Sequence, residues 1–362
     1  MTATAHINAI GTAVPPHQVH DAFDGFVHDM LTDERHLRLF DRMVARAGIE
    51  RRFSFLEPEV LPDGSITDTE RFYGGDEWPS TAARMERYEC WAPKLAMQAV
   101  AALGDDPTEM GITHLVVASC TGFVAPGLDQ LIVAAAGLDP SVERTMVGFM
   151  GCYAAVSALR VAHHIVRSTP QARVLVINVE LCTLHFQRSD DLEKLLAMLL
   201  FGDGASAALV TSEACGVALT EFRAATIPGS ADAITWRIGD QGFDMHLGGQ
   251  VPACIGDALK NERLRNDDTG ILRGQSPEEF ALWAVHAGGR TILDAVEHSL
   301  DLPADALRPS RDVLRDFGNM SSATLMFVLA SMMRNGGGHD APGLAIAFGP
   351  GLAAESFRFR LL

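Results

Sequence analysis

Two distant stretches of the chain share one design, in which a glycine and a polar residue stand at the head of an apolar helix. The first reads Phe149-Met-Gly-Cys-Tyr-Ala-Ala155, and the second reads Phe317-Gly-Asn-Met-Ser-Ser-Ala323. Similar segments at a large separation indicate a duplicated architecture. If the two halves meet through their helix N-termini, Cys152 and Asn319 come together, so this repeat constrains the fold more than any other feature.

Apolar runs of strand length alternate with helical patterns along the chain. We predict strands at residues 7–13, 114–119, 174–179, 205–210 and 282–285, and a helix at residues 82–103. Such alternation is typical of α/β layers with a mixed or parallel sheet. We therefore predict an α/β fold in two pseudo-duplicated halves, residues 1–215 with Cys152 and residues 216–362 with His286 and Asn319. The Pro- and Gly-containing acidic stretch 57–78 predicts an irregular excursion at the surface.

The charge balance limits the ligands that this chain can bind. Asp and Glu number 46 against 29 Lys and Arg, so the net charge is −17. Such a surface repels nucleic acid and anionic membranes, and we expect neither as a partner. A phosphate-bearing ligand would need a local basic patch. Four arginines supply one in a short stretch, namely Arg42, Arg46, Arg51 and Arg52.

The six cysteines are scattered without a CxxC pair, which argues against a zinc site and against a disulfide scaffold in a chain of this length. We predict no metal site. The first residues lack a basic stretch leading into an apolar run, and no uninterrupted apolar run reaches about 18 residues. These features predict a cytoplasmic protein without a membrane span.

Three residues together form a set suited to nucleophilic acyl chemistry. Cys152 follows Gly151 at a predicted helix N-terminus, where the helix dipole favours a thiolate. His286 is placed between a predicted strand and Gly288, at the wall of a pocket. Asn319 precedes the second apolar helix. An imidazole stabilises a thiolate, and imidazole and amide both donate to a developing oxyanion.

Each of these residues also has a plain structural interpretation. Cys152 can fill space beneath Tyr153, His286 can be a satisfied structural group, and Asn319 can cap a helix that begins at Met320. The order Cys, His, Asn is shared with papain-like proteases as well. The flanking pattern of those proteases is missing here, and the cysteine lies in the middle of the chain.

At these residues the sequence resembles the chalcone synthase family, the type III polyketide synthases, within the thiolase-like fold. The matching strings are Trp283-Ala-Val-His-Ala-Gly-Gly289, Gly318-Asn-Met-Ser-Ser-Ala323, Phe201-Gly-Asp-Gly204 and Phe348-Gly-Pro-Gly-Leu352. The similarity extends from about residue 6 to the end of the chain. The resemblance implies a thiolase-like layered αβαβα fold and a homodimer.

The resemblance also implies roles for individual residues. Cys152 is the acyl-carrying nucleophile, and His286 and Asn319 promote decarboxylation of a malonyl unit. The remaining positions fall into three groups: Phe201, Met245, His185, Trp236 and Ser321 at the substrate pocket; Arg42, Arg46 and Gly288 at coenzyme A; and Gly349, Pro350 and Gly351 in a cyclisation loop. Acyl-CoA and malonyl-CoA are substrates, and no cofactor is implied.

Several positions depart from the plant members of the family. Trp236 stands where those enzymes carry Gly, Met245 replaces a second gatekeeping Phe, and His185 replaces a Thr. Ala125 replaces a Met that reaches across the dimer interface, and Leu39 replaces a basic residue of the coenzyme A patch. Chalcone itself is therefore not implied as the product.

The predicted function is starter loading on Cys152, extension by decarboxylative Claisen condensation with malonyl-CoA, and cyclisation to a pyrone or to a resorcinol- or phloroglucinol-type product. The nearest alternative is a ketoacyl synthase III-like enzyme that performs a single condensation. A catalytically inert scaffold of the same fold is the alternative from another class, and the intact Cys152, His286 and Asn319 set argues against it.

Overall fold

The structure is a computed structural model and describes residues 3–74, 78–336 and 340–362. The strands in these ranges are β1 (Ala5–Ala13), β2 (His17–Gln18), β3 (Phe53–Ser54), β4 (Pro58–Val60), β5 (Ile66–Asp68), β6 (His114–Ser119), β7 (Glu143–Gly148), β8 (Val174–Leu181), β9 (Asp203–Thr211), β10 (Val217–Thr226), β11 (Ile234–Gly239), β12 (Gly242–Leu247), β13 (Leu282–Val285), β14 (Ala341–Gly349) and β15 (Ala353–Leu361). The predicted strands are all confirmed.

The helices in the same ranges are α1 (His20–Met30), α2 (Glu34–Ala47), α3 (Thr81–Ala101), α4 (Leu128–Ala135), α5 (Ala154–Ser168), α6 (Leu192–Leu200), α7 (Val251–Leu264), α8 (Arg290–Ser299), α9 (Arg308–Phe317) and α10 (Ala323–Asn335). The predicted helix at 82–103 is confirmed as α3. In the part of the chain described, no helix is long and apolar enough to cross a bilayer.

Nine strands form one sheet in the order β13-β14-β15-β10-β1-β9-β8-β6-β7. In the series β1-β9-β8-β6 the first two pairings are antiparallel and the third is parallel. The series β10-β15-β14-β13 has the same two antiparallel pairings followed by a parallel one. This repeated order supports the prediction of two halves that divide near residue 215, where β9 gives way to β10.

Alternating side chains along the strands build the layers. In β6, Val116 and Ala118 pack on the central helices α5 and α10, while Leu115 and Val117 face α3 and α4 on the other side. The second half packs its opposite face on α7 and α8. Successive side chains of a strand point to opposite faces of the sheet, and helices pack on both of these faces in each half. The result is the predicted αβαβα layering.

The excursion at residues 57–78 is more ordered than the sequence predicts. Strands β4 and β5 pair as a short hairpin. Asp68 is buried and accepts hydrogen bonds from the backbone N–H groups of Glu70, Phe72 and Tyr73. The prediction of an irregular segment was therefore wrong for the residues described, because this carboxylate organises the turn from inside, whereas most of these residues do lie at the surface. Residues 75–77 of the excursion lie outside the described ranges.

Candidate active site

One cavity of about 1450 Å³, measured together with its open mouth, contains most of the predicted site residues. Its walls include Cys152, His185, Phe201, Trp236, Met245, His286, Gly288, Asn319, Ser321, Gly349 and Pro350. The structure thus brings together residues from both predicted halves. Three predicted residues lie elsewhere, namely Arg42, Arg46 and Gly351.

Cys152 lies in a single helical turn, Gly151–Tyr153, directly before α5. Gly151 has φ +76°, and a Cβ atom there would come within 2.3 Å of the Pro350 side chain. Glycine is therefore required for both the backbone conformation and the close approach. Burial raises the pKa of the Cys152 thiol to about 12, against hydrogen bonds from Ser321 and Asn319 that lower it.

His286 is held by its backbone and leaves its ring free. Its N–H donates to the Ile346 carbonyl at 2.8 Å, and the Gly288 N–H donates to the His286 carbonyl at 2.9 Å. Within the described ranges, both ring nitrogens are buried and without a hydrogen-bond partner. Burial lowers the pKa of His286 to about 3, so the imidazole is neutral at neutral pH, with one ring nitrogen as a hydrogen-bond donor and the other as an acceptor.

Asn319 does not cap a helix that begins at Met320, because α10 begins three residues later, at Ala323. Its side-chain Oδ1 accepts from the Ser321 N–H at 2.9 Å, and Nδ2 donates to the Gly288 carbonyl at 3.3 Å. The amide orientation is therefore fixed by two backbone partners. The second Nδ2 hydrogen remains available to a group in the cavity.

Phe201 is tied to Asn319 through the backbone. The Asn319 N–H donates to the Leu200 carbonyl at 2.8 Å, and the Gly202 N–H donates to the Asn319 carbonyl at 3.0 Å. Phe201 follows the last residue of α6 and has an extended backbone. The aromatic ring and the amide thus reach the same cavity from one rigid junction.

Trp236 and Met245 are directly paired across the β11–β12 hairpin, and both line the cavity. The indole Nε1 of Trp236 donates to the Cys120 carbonyl at 2.8 Å. This bond holds the indole beside Cys120, the residue that follows β6. Trp236, which the resemblance assigns to the substrate pocket, therefore lies in the wall of this cavity.

His185 is part of the chamber wall and has no free nitrogen. Nε2 lies 2.7 Å from the Thr121 carbonyl, and Nδ1 accepts from the Phe243 N–H at 3.0 Å. The ring is stacked on Phe243 with the ring centroids 4.2 Å apart. Burial lowers the pKa of His185 to about 3. A neutral ring with both nitrogens engaged shapes the cavity and does not transfer protons.

The loop after β14 closes over the nucleophile. A Cβ atom at Gly349 would lie 2.7 Å from the Tyr153 ring and 3.4 Å from the Cys152 backbone nitrogen. Pro350 lies equally close to the nucleophile's turn, because a Cβ atom at Gly151 would lie 2.3 Å from its side chain. Gly351 has φ +75° and is not part of the cavity wall. Residues 349 and 350 therefore set the position of Cys152.

The predicted basic patch is smaller than the sequence suggests. Arg42 and Arg46 are exposed on α2. Arg51 pairs with Asp316 at 2.8 Å. Arg52 is only 2% exposed and lies inside the protein, so its assignment to a surface patch was wrong. The carbonyls that receive its hydrogen bonds belong to Met198 and Phe201, far along the chain.

Sequence reasoning missed two further buried carboxyls near the site. Glu180 accepts from the Cys120 N–H and the Thr121 hydroxyl, both at 2.9 Å, and also from Ser322. Asp203 accepts from the Thr183 N–H at 2.8 Å. Burial raises the pKa of each carboxyl to about 7. The signal available in the sequence was a lone acid within or beside an otherwise apolar predicted strand.

Among the residues described, one group has side chains of metal-ligating type close together. The ligand atoms of Asp24, His28 and Asp41 lie within 4.8 Å of one another. The three residues belong to α1 and α2 and are not in the cavity walls. They therefore take no part in the chemistry of the cavity.

Comparisons with known proteins match nearly the whole length of the chain. The family model "Chalcone and stilbene synthases, N-terminal domain" matches residues 1–214, and the corresponding C-terminal domain matches residues 219–362. Bisdemethoxycurcumin synthase from Oryza sativa subsp. japonica is 36% identical over 377 residues, covering 97% of this chain and 91% of that protein.

Solved structures agree with this placement. PKS-I from the brown alga Ectocarpus siliculosus is 26% identical with a TM-score of 0.84, covering 100% of this chain and 99% of that one. The C-terminal type III polyketide synthase domain of Steely1 from Dictyostelium shares the fold, with a TM-score of 0.85, 24% identity and 99% coverage of both chains. The single-condensation alternative is not favoured. The chain belongs to the chalcone and stilbene synthase family of type III polyketide synthases, transferases that condense malonyl-CoA with loss of carbon dioxide.

Proposed function

We propose that Cys152 accepts an acyl group from a coenzyme A thioester and that the chain extends this group with malonyl units before cyclisation. The observation that carries the proposal is the cavity in which a thiol at a helix N-terminus shares the walls with a free imidazole and an oriented amide. These groups supply a nucleophile, a base and oxyanion donors. No metal or organic cofactor is needed for these steps.

In the loading step the Cys152 sulfur attacks the thioester carbonyl of the starter, and His286 takes the thiol proton. Proton transfer within the pair creates both charges together, which a buried site tolerates better than one isolated charge. The carbon–sulfur bond to coenzyme A then breaks. The departing thiolate receives the proton from His286, so the acyl enzyme and free coenzyme A are the products.

In the extension step the carbon–carbon bond to the malonyl carboxylate breaks and carbon dioxide leaves. The electron pair remains as an enolate, whose oxygen is stabilised by His286 and Asn319. The apolar ring of Phe201 favours loss of the carboxylate as neutral carbon dioxide. The enolate carbon attacks the acyl carbonyl on Cys152, the carbon–sulfur bond to Cys152 breaks, and the leaving thiolate takes up a proton from water.

The walls of the chamber favour a short product. Trp236 and His185 both line the cavity, and their rings lie 5.3 Å apart, edge to face. Two aromatic rings in the wall leave less space for additional ketide units than smaller side chains would, so we propose a pyrone or a small ring built from few extensions. Met245 is flexible, which suits an aliphatic starter. Ser321 is buried beside Cys152 and completes the wall.

Coenzyme A is proposed to approach from α2. Arg42 and Arg46 are one helical turn apart and exposed, so both guanidinium groups can contact phosphates. The helix ends at Ala47, and a Cβ atom at the following Gly48 would lie 3.6 Å from the Arg290 side chain at the start of α8. Gly288, two residues earlier, lines the cavity. The pantetheine arm would pass Gly288 on its way to Cys152.

We also propose a homodimer that forms through β7. This strand is the edge of the nine-stranded sheet and pairs only with β6 in the part of the chain described. Residues 143–146 are exposed, and Met146 and the nearby Phe123 are 43% and 47% exposed. An unpaired edge with exposed apolar side chains is suited to pairing with a second copy.

The test of the central proposal is acylation of a specific cysteine. The protein is incubated with a panel of acyl-CoA thioesters, and the adduct is mapped by peptide mass. We expect the adduct on Cys152, loss of loading in Cys152→Ala, and retained loading in Cys182→Ala, whose thiol also lines the cavity. Incubation with malonyl-CoA should then give products that carry several malonyl units. An adduct mainly on another cysteine contradicts the mechanism.

A further inference from the structure

An arginine is buried behind the active site, and among the residues described no carboxylate is hydrogen-bonded to it. Arg52 is 2% exposed, and its Nη1 donates to the carbonyls of Phe201 at 2.7 Å and Met198 at 2.9 Å. Its Nε donates to His20 Nδ1 at 3.1 Å. The guanidinium also lies over the Phe23 ring, 4.6 Å from its centroid. Arg52 therefore joins α1 to the end of α6.

The carbonyls that Arg52 binds lie at the C-terminal end of α6 and in the residue that follows it. The last carbonyls of a helix have no partner within the helix and carry the negative end of its dipole. A cation is favoured there. Burial lowers the pKa of Arg52 to about 9, against the charge of Asp203, which raises it. The side chain is therefore still cationic at neutral pH.

His20 is suited to its role as an acceptor. Burial and the charge of Arg52 lower the pKa of His20 to about 4. The ring is therefore neutral at neutral pH, and its Nδ1 can accept the Arg52 hydrogen. With Nε and Nη1 both engaged, the planar guanidinium has one allowed orientation.

The stem of Arg52 packs against the backbone that carries Asn319. A Cβ atom at Gly318 would lie 2.8 Å from Arg52 Cγ and 2.8 Å from the Leu200 carbonyl. A Cβ atom at Gly202 would lie 3.4 Å from Arg52 Cβ. Both glycines flank the backbone hydrogen bonds that join Asn319 to the end of α6. Arg52 thus lies against both segments of this junction, the one that carries Gly202 and the one that carries Gly318.

The chain on either side of Arg52 is attached to the same region. The backbone N–H groups of Glu50 and Arg51 donate to the Arg315 carbonyl at 2.8 and 3.1 Å. Phe53 packs on Phe317, with the ring centroids 6.1 Å apart. Arg52 is therefore held from both sides at a fixed distance from Asn319.

We propose that Arg52 is a positioning residue that sets the relative placement of Phe201 and Asn319 and so controls malonyl decarboxylation. This inference rests on the proposed function. In the proposed mechanism Phe201 acts only in the extension step and Asn319 stabilises the enolate there, whereas the bond changes of loading take place at Cys152 and His286. A small displacement of groups that orient a reacting carboxylate costs rate even when binding is kept. Loss of Arg52 should therefore affect extension much more than loading.

The experiment compares the two half-reactions in Arg52→Met and Arg52→Lys. Met keeps an apolar stem but donates no hydrogen bond, and Lys keeps the charge but cannot serve His20 and two carbonyls in one plane. Loading is measured by intact mass after mixing with acyl-CoA, and decarboxylation by release of carbon dioxide from malonyl-CoA. Arg51→Met is the matched control, because Arg51 is exposed and pairs only with Asp316 among its described neighbours.

For Arg52→Met we expect kcat for decarboxylation to fall about 10- to 100-fold, with KM for malonyl-CoA and the loading rate within about threefold of wild type. Arg52→Lys should recover part of the loss, and Arg51→Met should resemble wild type. Equal losses in both half-reactions, in proportion to the folded fraction, would overturn the proposal. So would unchanged decarboxylation in a folded variant.

Gly318→Ala perturbs the same contact from the other side and remains informative if Arg52→Met does not fold. Its Cβ would press on Arg52 and on the Leu200 carbonyl, so decarboxylation should again fall more than loading. Equal effects on the two half-reactions there would also contradict the proposal. Failure of the proposed function is a separate outcome, because the wild type would then neither load Cys152 nor release carbon dioxide.

Discussion

At the scale of single residues, hydrogen bonding decides which buried polar groups in the cavity remain free. His286 and His185 are both buried and neutral, yet His185 has both nitrogens bonded, whereas His286 has neither bonded within the described structure. His185 is therefore part of the cavity wall, and His286 is the ring that is free to act as the proposed base. The sequence does not show this difference in hydrogen bonding, because each histidine comes after an apolar predicted strand.

Trp236→Gly tests the size of the chamber. Removal of the indole opens space beside Cys120, so we expect the variant to add more malonyl units to the same starter than wild type does. Products are compared by mass. Ile238→Gly is the control, because it introduces glycine into the same strand at a side chain that is 58% exposed. Unchanged product length in a folded Trp236→Gly variant would show that the indole does not limit extension.

Glu180→Gln tests the buried carboxyl through stability. Burial raises the pKa of Glu180 to about 7, above its value of about 4.3 in an unfolded chain. Between these values the folded state binds more protons, so the free energy of unfolding falls as pH rises and levels off above about pH 7. Gln cannot titrate and retains an acceptor for the Cys120 N–H and a donor for Ser322.

The measurement for Glu180→Gln is urea unfolding of both proteins from pH 5 to pH 8. We expect the unfolding free energy of wild type, relative to the variant, to fall by about 1–3 kcal/mol over this range. Asp203, whose pKa is raised as well, is present in both proteins, so its effect is largely removed in the comparison. A difference that is constant or that increases with pH would mean that Glu180 is ionised throughout.

At the scale of elements, the junctions between strands and helices position the reacting groups. Cys152 depends on the turn before α5, and Asn319 on the turn before α10. In both turns a glycine with positive φ makes a close contact with another part of the chain, Gly151 with Pro350 and Gly318 with Arg52. The functional geometry therefore depends on these contacts rather than on the helices themselves.

Gly151→Ala should displace Cys152. Its Cβ would lie 2.3 Å from the Pro350 side chain at a backbone φ of +76°, so strain and clash add. We expect loading to fall more than about 10-fold and the free energy of unfolding to fall by about 1–3 kcal/mol. Gly229→Ala is the matched control, since Gly229 has φ +75° and open space around it. Equal loading in both variants would show that the Gly151 contact does not position the thiol.

Arg42→Ala and Arg46→Ala test the outer face of α2. A lost phosphate contact should cost about 1–3 kcal/mol in kcat/KM with acyl-CoA and should have no effect with a short N-acetylcysteamine thioester, which lacks the phosphates. Arg35→Ala, an exposed arginine at the other end of the helix, is the control. If both thioesters are affected equally, the arginines act through folding and not through coenzyme A.

At the scale of the whole molecule, two similar sets of strands enclose α5 and α10, and the cavity lies where the heads of these helices meet. This arrangement leaves β7 as an exposed edge. The proposed dimer would cover that edge and the apolar side chains near it. Because edge strands invite association, the uncovered strand would be unfavourable in a monomer.

Met146→Asp should weaken the proposed dimer. A charge at this exposed position of β7 would have to be buried on pairing, so we expect light scattering at micromolar concentration to show one chain mass for the variant and two for wild type. Leu264→Asp, at a residue of α7 that is 79% exposed, should remain a dimer. A wild-type protein that is monomeric at this concentration contradicts the proposal directly.

The sequence by itself determined the strand and helix pattern, the placement of Cys152 at a helix head and the family. These are local properties, because apolar periodicity and short strings record the burial of a residue and the shape of its own turn. The excursion at 57–74 shows the limit of such signals. Its Pro and Gly content predicted an irregular surface segment, but nothing in the sequence indicated the buried Asp68 carboxylate that orders it.

Only the tertiary structure decided which distant groups meet. Arg52 stands in an arginine-rich stretch that predicts an exposed patch, yet it is buried, because carbonyls at Met198 and Phe201 offer the acceptors that a buried guanidinium requires. The orientation of Trp236 likewise depends on the carbonyl of Cys120. A side chain's partners across the fold set the cost of burying its polar atoms, and those partners are fixed only when the two halves pack together.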